Sequence, residues 1–181
     1  KDLALRKAKL DYIKNSSNTL AHPAFWSPFI LIGNEEAIQC LEKSLTLQVR
    51  GDWFYYLWGS EGCGRSHLLQ ATCDLADELS LTSSYLPLKE LKFHQPDVLN
   101  NLEQYDLICI DDVDEIVGHT QWEEALFHLY NRAQTTNSML CVSATCPPRL
   151  LALALADLRS RLSAGICFHM PAPDDEKRIN V

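Results

Sequence analysis

Nowhere does this sequence approach the roughly 18 consecutive apolar residues that a membrane-spanning helix needs. Its first residues, KDLALRKAKLDYIKN, are too charged for a signal peptide and contain no cleavage site. Basic clusters are missing too. Lysine and arginine number 16 against 24 acids, a formal net charge of −8, which argues against a general nucleic-acid binder with its basic face. There is no C-x-x-C pair. The seven cysteines, Cys40, Cys63, Cys73, Cys109, Cys141, Cys146 and Cys167, are scattered, and the nearest pair, Cys141 and Cys146, lacks zinc-ligand spacing. Most lie in apolar runs such as LICID and MLCVS, so they read as small buried hydrophobes in a reducing cytoplasm. Internal repeats and low-complexity tracts are absent. What remains is ordinary: 181 residues, 46% hydrophobic and 22% charged, suit a single domain with a proper core.

Apolar patterning along the chain alternates between two kinds of element. Residues 1–14 read as an amphipathic helix, and 22–33, punctuated by Pro23 and Pro28, as an extended segment. A helix is expected over 35–49, with Ala37, Leu41, Leu45 and Leu47 near helical spacing. The aromatic run WFYYLW at 53–58 reads as a buried strand, followed by a helix over 65–79. Further strands are expected at 83–88, 105–111, 138–144 and 165–170. Helices are expected at 95–104, entered at Pro96, at 120–136 with Trp122, Leu126, Leu129 and Tyr130 on one face, and from Pro148 through Leu162. Five strands alternating with helices predict an α/β, doubly wound, mainly parallel five-stranded sheet. The nearly continuous apolar strands fit a sheet covered on both faces.

Two stretches carry chemistry. GSEGCGRS, 59–66, follows a phosphate-binding loop, G-x-x-x-x-G-K-[ST], except that Arg65 stands in the lysine position. Gly59, Ser60, Glu61, Gly62, Cys63 and Gly64 would turn backbone amides toward a phosphate, and the helix that follows adds its free N–H groups. Ser66 would offer a hydroxyl to Mg²⁺. Arginine keeps the charge but is bulkier and planar, so the exchange is not conservative. It favours holding a nucleotide over turning one over. The second stretch, LICIDD at 107–112, is a hydrophobic strand ending in two acids. Asp111 would hold Mg²⁺, and Asp112 would polarise water with a carboxylate one methylene shorter than glutamate's. A glycine-rich turn and acids at a strand's exposed end are the plainer alternatives, weakened by finding the two stretches together. His119 and His128 lie near no nucleophile pattern and read as helix-surface residues.

WFYYLWGSEGCGRSHLLQATCDLADEL, SYLPL, LICIDDVDEI, QWEEALFHLYNRA, SATCPPRLL and LADLRSRL occur in the order seen in the DnaA family of AAA+ domains. Over residues 33–178 the chain resembles that family, and within it the Hda type, the regulatory inactivators of DnaA, which also have arginine in the lysine position. The resemblance implies that Gly59 to Ser66 surround the phosphates of ADP or ATP, with His67 beginning the helix. It implies Asp111 and Ser66 at Mg²⁺, Asp112 at water, and Gly33 and Asn34 beside the adenine. Ser143 and Thr145 fall in the sensor-1 turn, where relatives often carry threonine and aspartate. Arg161 matches the arginine finger that acts in trans, although by itself it reads as a solvated helix arginine. The implied role is stimulation of ATP hydrolysis on DnaA, together with the replicative sliding clamp, so that replication initiation is restrained. A homo-oligomer through the Arg161 face, weak or no intrinsic ATPase, no direct sequence-specific nucleic-acid contact and a cytoplasmic location go with it.

Three departures accompany the resemblance. The family's helical lid with its sensor-2 arginine is expected beyond Val181 and is not in this sequence. No clamp-binding Q-L-x-L-P-like peptide is seen. Residues 4–33 instead resemble the last helix and strand of CHAT domains, a caspase-like protease fold whose catalytic His and Cys lie upstream. The expected division is therefore a CHAT-tail-like segment over 1–33 and an AAA+ base domain over 34–181. A nucleotide-free interaction module built on the same fold is the competing reading. An initiator-like DNA binder is a third, disfavoured by the acidic balance and the absence of a helix-turn-helix region.

Overall fold

The computed structural model describes residues 35–47 and 53–172. The expected N-terminal helix and extended segment, the proposed junction, and Gly33 and Asn34 lie outside these residues.

Five strands form one all-parallel sheet: β1 (Phe54–Trp58), β2 (Ser83–Pro87), β3 (Leu107–Asp111), β4 (Met139–Ala144) and β5 (Ile166–His169), in the spatial order β2-β3-β4-β1-β5. The α-helices among the described residues are α1 (Glu35–Leu47), α2 (Arg65–Glu78), the single turn α3 (Leu88–Leu91), α4 (Thr120–Thr136) and α5 (Ala156–Leu162). The expected doubly wound sheet is present.

Alternation along the strands divides the apolar interior in two. Tyr55, Leu57, Leu107, Cys109, Met139 and Cys141 face α1 and α2, with Ile38, Leu41, Leu45, Leu68 and Leu69. The intervening residues Phe54, Tyr56, Ile108, Ile110, Leu140 and Val142 face the opposite way, with Leu126, Leu129, Leu158 and Leu162 from α4 and α5. Because both faces are covered, the strands read as unbroken apolar runs. The Trp122, Leu126, Leu129 and Tyr130 stripe is buried as expected. All seven cysteines are free; Cys63, Cys109 and Cys141 are buried, whereas Cys167 is exposed.

Two expected helices take other forms. Residues 95–104 make two short 3-10 turns, Pro96–Leu99 and Leu102–Gln104. Between them Asn100 is extended and Asn101 takes a left-handed φ of 62°, which asparagine tolerates and which ends a helix. The segment from Pro148 is likewise only a 3-10 turn, Pro148–Leu150, followed by an extended stretch and then α5. In LALAL, Leu151 and Leu153 are buried while Ala152 and Ala154 are exposed, a period of two rather than 3.6.

Connection directions open the site. From β1 the chain crosses through α2 on one face, whereas β3 and β4 feed α4 and α5 on the other. Since β1 and β4 are neighbours, their C-terminal ends bound a crevice where the chain's direction switches, the usual ligand position in open parallel sheets.

Candidate nucleotide-binding site

The loop after β1 is rooted at both ends of that crevice. Gly59 N–H donates to the Ala144 carbonyl at 3.3 Å, and Met170 N–H donates to the Trp58 carbonyl at 2.7 Å. A side chain on Gly59 would put its Cβ 2.2 Å from the Met170 carbonyl oxygen, so only glycine fits there. Cys63 N–H closes a turn onto the Ser60 carbonyl at 3.3 Å. Gly62 and Gly64 have φ of 77° and 95°, the left-handed region that favours glycine. Gly64 leads directly into α2, whose first-turn amides have no partner within the helix. Ser60, Glu61 and His67 are exposed at the loop surface, Cys63 is buried against Gly59, and Ser66 is half-buried.

Arg65 turns inward beneath this loop and is only 7% exposed. Its Nη1 donates to the Gly59 carbonyl and, at 3.3 Å, to that of Ser60. Nη2 forms an ion pair with Asp112 Oδ1 at 3.2 Å. Nε is buried without a partner. A buried, unpaired guanidinium N–H beside unpaired helix amides fits an anion at this loop.

The acids sit at the end of β3. Asp111 is buried, and its two oxygens accept from the Ser143 hydroxyl and, at 2.6 Å, from the Tyr85 hydroxyl. Gln70 and Ser66 are neighbours of the Tyr85 hydroxyl and oppose the rise in its pKa. Burial first, then the bond to Asp111, push the Tyr85 hydroxyl well above the ordinary tyrosine pKa, so it stays a donor. Ser66 and Asp111, the two expected Mg²⁺ ligands, therefore share Tyr85 as a neighbour. These hard oxygens suit Mg²⁺ completed by phosphate and water. Among the described residues no group of three or more His, Cys, Asp or Glu is gathered for a metal. Asp112 has φ 57° and ψ 56°, and its amide donates to Ser143 Oγ at 3.0 Å. Burial and the Asp111 carboxylate raise its pKa, with Arg65 opposing.

The structure thus brings the loop, Arg65, Ser66, Asp111 and Asp112 together. Thr145 lies at the end of β4, but its amide and hydroxyl both bind the Asp114 carboxylate, at 3.1 and 2.8 Å. Ser143 is the residue of that strand end in contact with the acids. Arg161 is on the other side of the sheet from α2, in the last turn of α5, with its guanidinium carbon 5.8 Å from the Tyr130 ring centre. Sequence reasoning missed Tyr85. The available signal was a tyrosine in an edge strand paired in register with Cys109, two residues before Asp111.

A parallel sheet in this order, with a left-handed glycine loop entering a helix after β1 and acids ending β3, defines an AAA+ type nucleotide-binding base domain. The chain belongs to the bacterial DnaA ATPase domain family, whose model matches residues 48–169. It is 37% identical over 129 residues to a Haemophilus influenzae protein described as uncharacterized, covering 71% of this chain and 56% of that one. Domain III of the Thermotoga maritima replication initiation protein DnaA has the same fold, with a TM-score of 0.73 at 23% identity over 86% of this chain and 70% of that one. AMPPCP-bound DnaA from Aquifex aeolicus matches with a TM-score of 0.70 at 23% identity, covering 81% and 48%. The chain spans about half the length of the Haemophilus and Aquifex proteins. No described helix is long and apolar enough to cross a membrane.

Proposed function

We propose that this chain is a regulatory, Hda-type member of the family that retains an adenine nucleotide, ADP in preference, and acts through Arg161 on ATP held by DnaA. The observation carrying this reading is the ion pair between Arg65 and Asp112. The loop's own cation is engaged through Nη2 with the carboxylate that would polarise water, so turnover at this site is disfavoured, while its unpaired Nε–H and the backbone amides remain for phosphate. Gly59 to Ser66 and His67 would surround the phosphates, and Ser66 and Asp111 would hold Mg²⁺, which supplies charge neutralisation when bound. Arg161, which makes no ion pair among the described residues, would enter a neighbouring ATP site in trans and stabilise charge on the transferring phosphoryl group. Cooperation with the sliding clamp, restraint of initiation, and the division into a CHAT-tail-like segment over 1–33 and the base domain over 34–181 belong to the same proposal.

A nucleotide-free interaction module is favoured by one observation: Arg65 already bonds the carbonyls of Gly59 and Ser60. Thermal unfolding with and without ADP–Mg²⁺ separates the two. Ligand at 100 times its Kd adds about 2.7 kcal/mol to the folded state, and Arg65→Ala should remove most of that gain. An unchanged transition at millimolar ADP would leave the interaction module as the better account.

A further inference from the structure

The carboxylate of Glu123 belongs to no part of the loop site, yet it is completely buried. It lies in the first turn of α4, and its two oxygens accept from two backbone amides outside that helix. Oε1 takes Gly118 N–H and Oε2 takes Leu155 N–H, each at 2.8 Å. Gly118 ends the turn that follows Asp112 and Val113–Ile116, whereas Leu155 immediately precedes α5. Among the described residues Glu123 has no ion-pair partner. A buried carboxylate needs such donors, and both amides are consequently held firmly. One side chain therefore ties the acid end of β3 to the start of the helix carrying Arg161.

The far end of α5 is tied to α4 as well, through the Arg161 guanidinium over the Tyr130 ring. Glu123 and Tyr130 are seven residues apart and lie with Leu126 and Ala133 on the buried face of α4. At seven residues, α5 is too short to be stable alone, and the LALAL segment before it is extended. Its direction is set by what it is fastened to.

We infer that Glu123 and Tyr130 are positioning residues for Arg161, Glu123 by fixing the start of α5 and Tyr130 by holding the guanidinium. The inference rests on the proposed action of Arg161 in trans. A charge aimed at a transferring phosphoryl group is effective only when accurately placed, and a displacement of about 1 Å can cost about 10²-fold in rate. The contact with the Tyr130 ring, 5.8 Å from guanidinium carbon to ring centre, narrows the conformations of a long side chain before any partner arrives.

The test compares Glu123→Gln, Tyr130→Phe, Tyr130→Leu and Arg161→Ala in single-turnover hydrolysis of DnaA-bound ATP, titrating the chain. Glu123→Gln keeps the size but replaces one acceptor oxygen with a donor facing an amide. It should lower the maximal stimulated rate about tenfold, leaving the half-maximal concentration and the ADP-dependent thermal shift unchanged. Tyr130→Phe keeps the ring and should act as wild type, whereas Tyr130→Leu should lose about fivefold. In NMR the Arg161 Nε–H resonance should be ring-current shifted in wild type and Tyr130→Phe, and unshifted in Tyr130→Leu. Full maximal rates in both Glu123→Gln and Tyr130→Leu, with Arg161→Ala inactive, would overturn the inference while leaving the functional proposal standing. A wild-type rate in Arg161→Ala would overturn both.

Discussion

Arg65 shows why a single exchange in a phosphate loop changes more than its charge. Lysine offers one point of positive charge, whereas the guanidinium fork reaches the Gly59 carbonyl, the Ser60 carbonyl and Asp112 together. Removing it by Arg65→Ala deprives Asp112 of the cation opposing its raising influences, burial, Asp111 and Asp114. The sign follows from proton counting. A carboxyl whose pKa is raised on folding holds its proton in the folded chain where the unfolded chain has released it, so stability falls as pH rises through that interval. Arg65→Ala should therefore lose more stability than wild type as pH rises from about 4, where an unfolded aspartate ionises, as read by urea denaturation at each pH. Equal losses would mean that the ion pair does not govern Asp112. Gly59 makes an independent case. Its Cβ would meet the Met170 carbonyl at 2.2 Å, so Gly59→Ala should destabilise by about 1–3 kcal/mol and displace the loop from β5, measurable as a lower Tm and a weaker ADP shift.

Among the elements, the LALAL stretch is the most instructive. Its leucines and alanines are strong helix formers, and nothing in their composition distinguishes a helix from the extended form observed. Leu151 and Leu153 are buried with Ala152 and Ala154 exposed, and the segment ends where Leu155 N–H is tied to a glutamate 32 residues earlier. Leu151→Ala and Leu153→Ala should each cost about 2–5 kcal/mol, because residues two apart share a face in an extended segment but lie on opposite faces of a helix, and chemical denaturation reads both losses directly. The strands were legible for the opposite reason. A parallel sheet covered on both faces imposes long apolar runs that few other structures require, so β1, β3 and β4 could be read within about a residue or two. Residues 95–104 were not legible as two turns because the break depends on the left-handed conformation of Asn101, which Asn100–Asn101 permits without dictating. The site divides the same way. Gly59 to Ser66 and Asp111–Asp112 follow motif spacing, whereas Tyr85, Glu123 and the seat of Arg161 on Tyr130 depend on pairings between distant segments.

At the scale of the whole molecule, the two candidate chemistries lie on opposite faces of one sheet. The loop and α2 occupy one face, and α5 with Arg161 the other. A domain built this way can hold a nucleotide on one side while presenting a cation on the other, as the proposed action in trans on DnaA requires. Such a role asks little hydrolysis of the chain itself, in keeping with an arginine that engages Asp112, the acid proposed to polarise water. The most direct test is the single-turnover rate of ATP hydrolysis on DnaA, with the clamp on DNA, in the presence of the ADP-loaded chain or its Arg161→Ala variant. The account predicts acceleration by about 10³ with the wild-type chain, lost in the variant. A rate that the chain leaves unchanged, or that Arg161→Ala raises equally, would contradict it.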